Sequence, residues 1–227
     1  MTKTIGMIPA RLESSRLKEK ALLKIEGLPM VVHTCKRAQL AEQLDEVYIV
    51  TDSTVIRDVA ISNDLKYIMT REHISSSDRV AEACHKVDCD IVVNIQGDEP
   101  LVNPDHINKI VNPIKSDSKI EMIVGIISFS KKNSFSDIKV VVDKNNDMLF
   151  MSRNDIPMNY KKSESNIFFK LCSIVPFRKD VLIRFSKWKE TELEIIEDNH
   201  FLRFLVNGVK IKTVKIDDGK ISVDTKE

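Results

Sequence analysis

The sequence predicts a doubly wound α/β fold: a mostly parallel sheet with helices on both faces and a small antiparallel or mixed subdomain. Three observations carry this. Across the first hundred residues, short β-type runs alternate with helical patterns. The run Ile91 to Ile95 (IVVNI) is apolar from end to end except for Asn94, as a parallel strand covered on both faces must be. From Met122 onward strand-like runs follow one another across polar turns, which points to mixed or antiparallel additions. In such a sheet, ligands are expected outside the carboxyl ends of the strands.

Taken in order, Thr4 to Ile8 reads as a strand stopped by Pro9. Pro29 to Ala41 reads as a helix with proline in its first turn. Val47 to Val50 is a second strand, and Thr51, Asp52 and Ser53 supply N-caps for a helix reaching about Ser62. Lys66 to Met69 is a short third strand, and Asp78 to Lys86 is helical. Met122 to Phe129 is a strand. Lys139 to Val142 and Met148 to Met151 form a hairpin around the polar run Asp143 to Asp147. Phe168 to Phe177 reads as one further strand. Helices follow near Lys179 to Ser186 and Ile195 to Val206, with Gly208 as a stop, before a last strand over Val209 to Ile216.

Composition narrows the function classes. A chain of 227 residues fits one domain, residues 1–227, large enough to fold without disulfides. A hydrophobic fraction of 42% with 30% charged residues argues for a globular protein and against wholesale disorder. The net charge of +1 gives no strong field for nucleic acid, so no nucleic-acid partner is expected and any anion must be held by a local cluster. No run of eighteen apolar residues and no signal-peptide core are present, so no membrane partner is expected and a cytoplasmic location is. The four cysteines form no CxxC pair and are expected to be reduced, mostly buried thiols, with no zinc site.

Four segments carry groups able to do chemistry. The loop Pro9 to Lys20 follows the first strand, where a nucleotide phosphate is expected, yet it matches neither glycine-rich phosphate motif. Side chains must then do the holding: Arg11 and Arg16 by forked hydrogen bonds, Lys20 as a point charge, Ser15 through its hydroxyl. A solvated loop is the alternative, since Glu13 and Glu19 offset part of the charge. In Gln96-Gly97-Asp98-Glu99-Pro100 the buried strand runs into two acids, with Gly97 permitting a sharp turn. Asp98 is the natural Mg²⁺ ligand, because Mg²⁺ favours one or two carboxylates plus substrate phosphates; an acidic turn before Pro100 is the alternative. Asp224 would complete a two-carboxylate site if the end of the chain returned to the crevice, though terminal acids are commonly solvated. Ser75 to Asp78 can cap a helix. Capping does not account for Arg79, whose charge is unfavourable at that end of the helix dipole. His73 is either a general base or structural.

These motifs occur in one order: PARxxSxRL followed by a lysine (Pro9 to Lys20), Thr51-Asp52, Thr70-Arg71 with Ser75-x-x-Asp78-Arg79, VVNIQGDEP (Val92 to Pro100), Ser152-Arg153-x-x-Ile156-Pro157, and Val223-Asp224-Thr225. The set, spanning nearly the whole chain, closely resembles the 3-deoxy-manno-octulosonate cytidylyltransferases, or CMP-Kdo synthetases. The resemblance implies a Rossmann-like fold of nucleotidyltransferase (nucleotide-diphospho-sugar transferase) type. It implies Mg²⁺-dependent transfer of CMP from CTP to the anomeric hydroxyl of a 2-keto-3-deoxy sugar acid, with release of pyrophosphate, serving lipopolysaccharide biosynthesis. It divides the chain into a nucleotide-binding half, roughly 1–120, and a half for the sugar acid and dimerisation, roughly 121–210; a homodimer is expected. Carried over residue by residue, Arg11, Lys20 and Asp98 are the catalytic candidates. Arg11, Ser15, Arg16, Lys20, Ser75, Arg79 and Gln96 would meet the nucleotide. Gln96, Arg153, Glu194 and Glu197 would meet the sugar acid, and Asp98 and Asp224 would hold the metal.

Several positions depart from the family pattern. Lys18-Glu19 stands where Pro-Gly is usual, and Ser75 to Arg79 lacks a glycine. Lys170 to Val175 has lost a histidine and a tyrosine, and His200-Phe201 stands for Glu-Gln, while Glu194 and Glu197 are kept. Changing polar groups that recognise hydroxyls alters selectivity strongly. The expectation is therefore retained nucleotide chemistry acting on Kdo or a Kdo-like acid. Another ulosonic or non-sugar acid, or a CTP-binding paralogue without turnover, is the alternative.

Overall fold

Ile91 to Ile95 lies at the centre of the molecule with all five residues buried, and the rest of the sheet grows outward from it. The computed structural model describes residues 2–13, 19–130, 133–161 and 168–217. In chain order the first half contains β1 (Thr4–Pro9), a 3-10 turn (Lys20–Leu22), the short ladder β2 (Lys24–Ile25) and β3 (Leu28–Pro29), and α1 (Met30–Ala38). It continues with β4 (Glu46–Thr51), α2 (Thr54–Ser62), β5 (Lys66–Met69), α3 (Ser76–Cys84), β6 (Ile91–Ile95) and α4 (Pro104–Ser116). The second half contains β7 (Met122–Phe129), β8 (Lys139–Val142), β9 (Met148–Ser152), β10 (Phe168–Cys172) and β11 (Ile174–Arg178). It closes with α5 (Lys179–Phe185), α6 (Glu192–Glu197), α7 (Phe201–Val206) and β12 (Ile211–Ile216).

The main sheet runs β5-β4-β1-β6-β11-β7-β10-β8-β9, with β12 alongside β7. Strands β5, β4, β1 and β6 are parallel. The order reverses at β11, which is antiparallel to β6, and β12 returns parallel to β7. Each face carries its own core. Ile5, Met7 and Val92 pack on one side with Phe177, Phe185 and Phe204. Ile8, Ile91, Val93 and Ile95 pack on the other with Val31, Ile107 and Ile110. Burial on both faces is the physical reason β6 has no polar alternation.

The strands of the parallel half and the hairpin lie within a residue or two of their expected places. Four details differ. Pro9 ends β1 from inside the strand, since its ring needs no donor there. The helix α4 was not expected. It opens on Asn103, whose side chain accepts the Asp105 amide at 3.1 Å, with Pro104 in its first turn, and Pro113 near its end disguises it.

The expected single strand Phe168 to Phe177 is two, divided at Ser173. Against β7, Phe177 faces Met122 and Cys172 faces Gly125, so six residues (172–177) span what four (122–125) span opposite. This bulge lets the ribbon change partners: Val175 pairs with Asn94 of β6, whereas Phe169 pairs with Val140 of β8. Beyond Ser173 the sheet is therefore open between β6 and β8.

The expected helix Ile195 to Val206 is also two. Asp198 adopts a left-handed conformation (φ 45°), and the Asn199 side chain accepts the Phe201 amide at 3.2 Å to start α7. At its other end, α7 closes on Gly208 (φ 79°). The Gly208 amide bonds the Leu205 carbonyl and the Val209 amide bonds that of Phe204, a Schellman closure.

The two short helices are joined by a buried ion pair. Arg203, 4% exposed, donates through Nε to one oxygen of Glu194 at 2.7 Å and through Nη2 to the other. Glu194 is 6% exposed and also closes a capping box with Thr191. The guanidinium lies 4.3 Å over the Phe185 ring, which in turn stacks on Phe204. Removing one partner would leave a buried charge. Glu194→Gln is expected to destabilise the fold by about 3–5 kcal/mol, read as a lower urea midpoint at unchanged slope. An unaltered midpoint would show that the pair does not hold α6 and α7 together.

Candidate active site

Strands β1 and β6 are parallel neighbours, so the segments that follow them emerge on one edge of the sheet. After β1 come Ala10, whose amide bonds the Val50 carbonyl, and the exposed Arg11. The chain then reaches Glu19, which adopts a left-handed conformation (φ 53°) where the family pattern has glycine. Lys20 follows it and is delivered inward, with 13% of its side chain exposed. Its Nζ lies 2.7 Å from Oδ2 of Asp98.

Asp98 is set by the turn after β6. The Glu99 amide bonds the Gln96 carbonyl, and the Val102 amide bonds that of Glu99. Thr34 of α1 donates to the Gly97 carbonyl at 3.1 Å. The turn expected at Gly97 is present, formed without a positive φ. The role of the glycine is close approach, because a Cβ at this position would stand 3.0 Å from the Pro9 carbonyl oxygen. The Gln96 amide bonds the Ser173 carbonyl, and its Nε2 reaches the Ser76 hydroxyl at 3.2 Å.

Two joined clefts open at this edge. The first, about 580 Å³, is lined by Arg11, Lys20, His73, Ser75, Arg79, Gln96 and Asp98, with Glu190, Glu194 and Ile195 opposite. The second, about 400 Å³, lies where the sheet parts beside Ser173 and is lined by Asp137, Arg153, Lys170 and Leu171. Ser76, Gln96, Asp98, Asp198, Asn199 and His200 border both.

The start of α3 forms one wall of the first cleft. Ser75 caps the helix, accepting the Asp78 amide at 3.1 Å and donating to the Asp78 carboxylate at 2.6 Å. Arg79 is 3% exposed, its guanidinium held by Asp52 and by the Thr70 hydroxyl, both at 3.0 Å. It ties the ends of β4 and β5 to the helix, which accounts for a cation in the first helical turn. His73 contacts Glu82 at 2.7 Å. Burial alone would raise the Glu82 carboxyl, but hydrogen bonds from His73, Lys86 and the Arg71 amide hold it down at about 2. The ring thus has a fixed structural partner.

Around the second cleft, Arg153 donates to the carbonyls of Glu197, Phe135 and Asp198 and pairs with the Asp198 carboxylate. Glu197 accepts from the Ser152 hydroxyl at 2.7 Å and the Arg153 amide at 2.8 Å. Direct sugar contacts were expected of Glu194 and Glu197. Here the Glu194 oxygens accept from Arg203, and Glu197 joins α6 to the end of β9. Ser15, Arg16 and Asp224 lie outside the described residues.

Three contributors were not singled out as binding residues from sequence: Asp137, Lys170 and Arg203. Asp137 and Lys170 pair at 3.0 Å across a strand junction that no local pattern reveals. His200, noticed only as a departure, borders both clefts. Burial pushes its imidazole down to about 4, so it is neutral near pH 7, and its sealed Nε2 has no hydrogen-bond partner among the described residues. Among those residues no group of three His, Cys, Asp or Glu side chains is placed to hold a metal ion. Asp98 offers a single hard carboxylate at the cleft mouth, the kind of donor that holds Mg²⁺ jointly with substrate phosphates.

Comparison with known proteins places this arrangement. Residues 5–211 match the sequence model of a cytidylyltransferase family. The 3-deoxy-manno-octulosonate cytidylyltransferase of Fusobacterium nucleatum is 36% identical, over 99% of this chain and 93% of its own. The Escherichia coli protein of the same name is 35% identical, over 99% and 92%. A solved CMP:2-keto-3-deoxy-manno-octonic acid synthetase complexed with CTP superposes with a TM-score of 0.94 at 34% identity, covering 99% of this chain and 94% of that one. A cytidylyltransferase from Leptospira borgpetersenii, at 15% identity and a TM-score of 0.67, shares the fold. The chain belongs to the cytidylyltransferase family and, within it, to the 3-deoxy-manno-octulosonate cytidylyltransferases, which are nucleotidyltransferases.

Proposed function

We propose that the protein transfers CMP from CTP to the anomeric hydroxyl of Kdo or a Kdo-like 2-keto-3-deoxy acid, with loss of pyrophosphate. The observation that carries this is the Lys20–Asp98 pair, 2.7 Å apart where the two clefts join. The larger cleft takes the nucleotide and the smaller one the acid. The α-phosphorus then lies between them, and attack from the acid side expels pyrophosphate toward the β1 loop.

Transfer of this kind needs in-line positioning and neutralisation of charge more than covalent help. Lys20 and Arg11 supply cationic groups at the triphosphate, with Ser15 and Arg16 assigned to the same loop. Ser75 and Gln96 present polar groups at the cleft wall, and Arg79 keeps that wall in place. Arg153 shapes the acid cleft. Mg²⁺, held by Asp98, by Asp224 and by the substrate phosphates, would add positive charge at the reacting phosphate. No histidine is assigned as base, since His73 is bound to Glu82 and His200 is a weak proton acceptor in its buried setting. A homodimer belongs to the same proposal, and equilibrium sedimentation reads it directly. No helix among the described residues is long and apolar enough to cross a membrane.

The decisive experiment follows pyrophosphate with CTP, Mg²⁺ and a panel of 2-keto-3-deoxy acids. Release is expected with Kdo or a close analogue and not with sugar phosphates. CTP binding without release from any acid would instead identify a paralogue that has lost turnover. Lys20→Ala is expected to lower kcat by about 10²–10³-fold, as loss of one preorganised charge donor does; a change below tenfold would remove Lys20 from the reacting centre. Asp98→Asn should abolish turnover and weaken Mg²⁺ binding with an unchanged circular dichroism spectrum. Near-normal rates would exclude Asp98 as the metal ligand.

A further inference from the structure

Lys139 is wholly buried, with 0% exposure, at the start of β8. Its Nζ donates to the carbonyls of Ser134 at 2.6 Å, Asp137 at 2.9 Å and Arg153. An ammonium has three N–H groups, and all three are used. The compensating charge is Asp155, whose Oδ1 lies 3.6 Å away, sealed from solvent and with no hydrogen-bond partner among the described residues. The other oxygen of Asp155 accepts the Asn133 amide at 2.9 Å.

The four oxygens come from two separate segments, the connection between β7 and β8 and the turn after β9. Each segment builds wall of the smaller cleft. The first brings Asp137, which takes Lys170 on one oxygen and the Ser134 hydroxyl on the other. The second brings Arg153, whose guanidinium fixes the end of α6. Without a cation between them, three carbonyl dipoles and a carboxylate would point at one another in a space closed to water, and the segments would have to part. The cation therefore fixes how far apart the two segments stand.

We propose that Lys139 is a positioning residue for the acid substrate: an internal cation that sets the spacing of the Asp137 and Arg153 walls. The inference rests on assigning the smaller cleft to the acid. Lys139 touches no substrate and acts through the two segments it clamps. The nucleotide cleft, built from β1, α3 and the turn after β6, shares none of its ligands. The two substrates should therefore respond differently to its loss.

The test is Lys139→Met, checked for folding by circular dichroism and titrated calorimetrically with Kdo and, separately, with CTP. Affinity for Kdo should fall about tenfold, as for one lost charge-assisted contact, with CTP affinity held within about twofold. Unchanged Kdo affinity in the folded variant, or an equal fall for both ligands, overturns the proposal. Should Lys139→Met fail to fold, Asp155→Asn keeps the three donated bonds but removes the counter-charge, and the same one-sided loss, about threefold, is expected; equal or absent losses overturn it equally. Both titrations proceed without turnover. A failure of the catalytic reading would show separately, as bound Kdo with no pyrophosphate.

Discussion

The site depends on the ion pair between Lys20 and Asp98, and the pair depends on β1 and β6 being adjacent and parallel. Two neighbouring strands that point the same way release their following segments at the same edge. A cation eleven residues beyond β1 and an acid three residues beyond β6 thereby meet at 2.7 Å although 78 positions separate them in sequence. Both are partly buried, with 13% of the Lys20 side chain and 32% of the Asp98 side chain exposed at the cleft mouth. Under the proposed function, a triphosphate arriving there would compete for the lysine and leave the carboxylate to face a divalent cation.

The second cleft arises from a failure of strand pairing. A continuous sheet from β6 through β11 and β10 to β8 would have no room for a ligand. The bulge at Ser173 turns the ribbon from one neighbour to another, and the space between β6 and β8 is left open. The surrounding polar groups are then organised by buried charges: Arg203 with Glu194 on one side, and Lys139 within its ring of carbonyls on the other. Groups that resemble ligand-binding residues by type are here occupied in holding the wall.

How much of this could be read from the chain follows from the range of the forces involved. Ile91 to Ile95 announces a doubly covered strand because burial on both faces acts on every residue of the run. Ser53 and Ser75 announce helix starts because a cap acts over three residues. Lys20 and Asp98 were legible because the ends of parallel strands share an edge. The break at Ser173 was not, since it is decided by which strands lie alongside. The break at Asp198 was hidden because an aspartate tolerates a left-handed backbone without advertising it. Helix α4 was masked by Pro113. Glu194 and Glu197 matched a ligand pattern, yet their partners Arg203 and Ser152 are supplied by tertiary packing.

Gly97 has a mechanical consequence. With only a hydrogen atom between its α-carbon and the Pro9 carbonyl, the turn bearing Asp98 rests directly against the segment bearing Arg11. There is no slack between them. Any displacement of one would be passed to the other like motion between meshed gear teeth, and through the Gln96 amide to the Ser173 carbonyl beside the second cleft. Under the proposed function, filling the first chamber would shift the rim of the second.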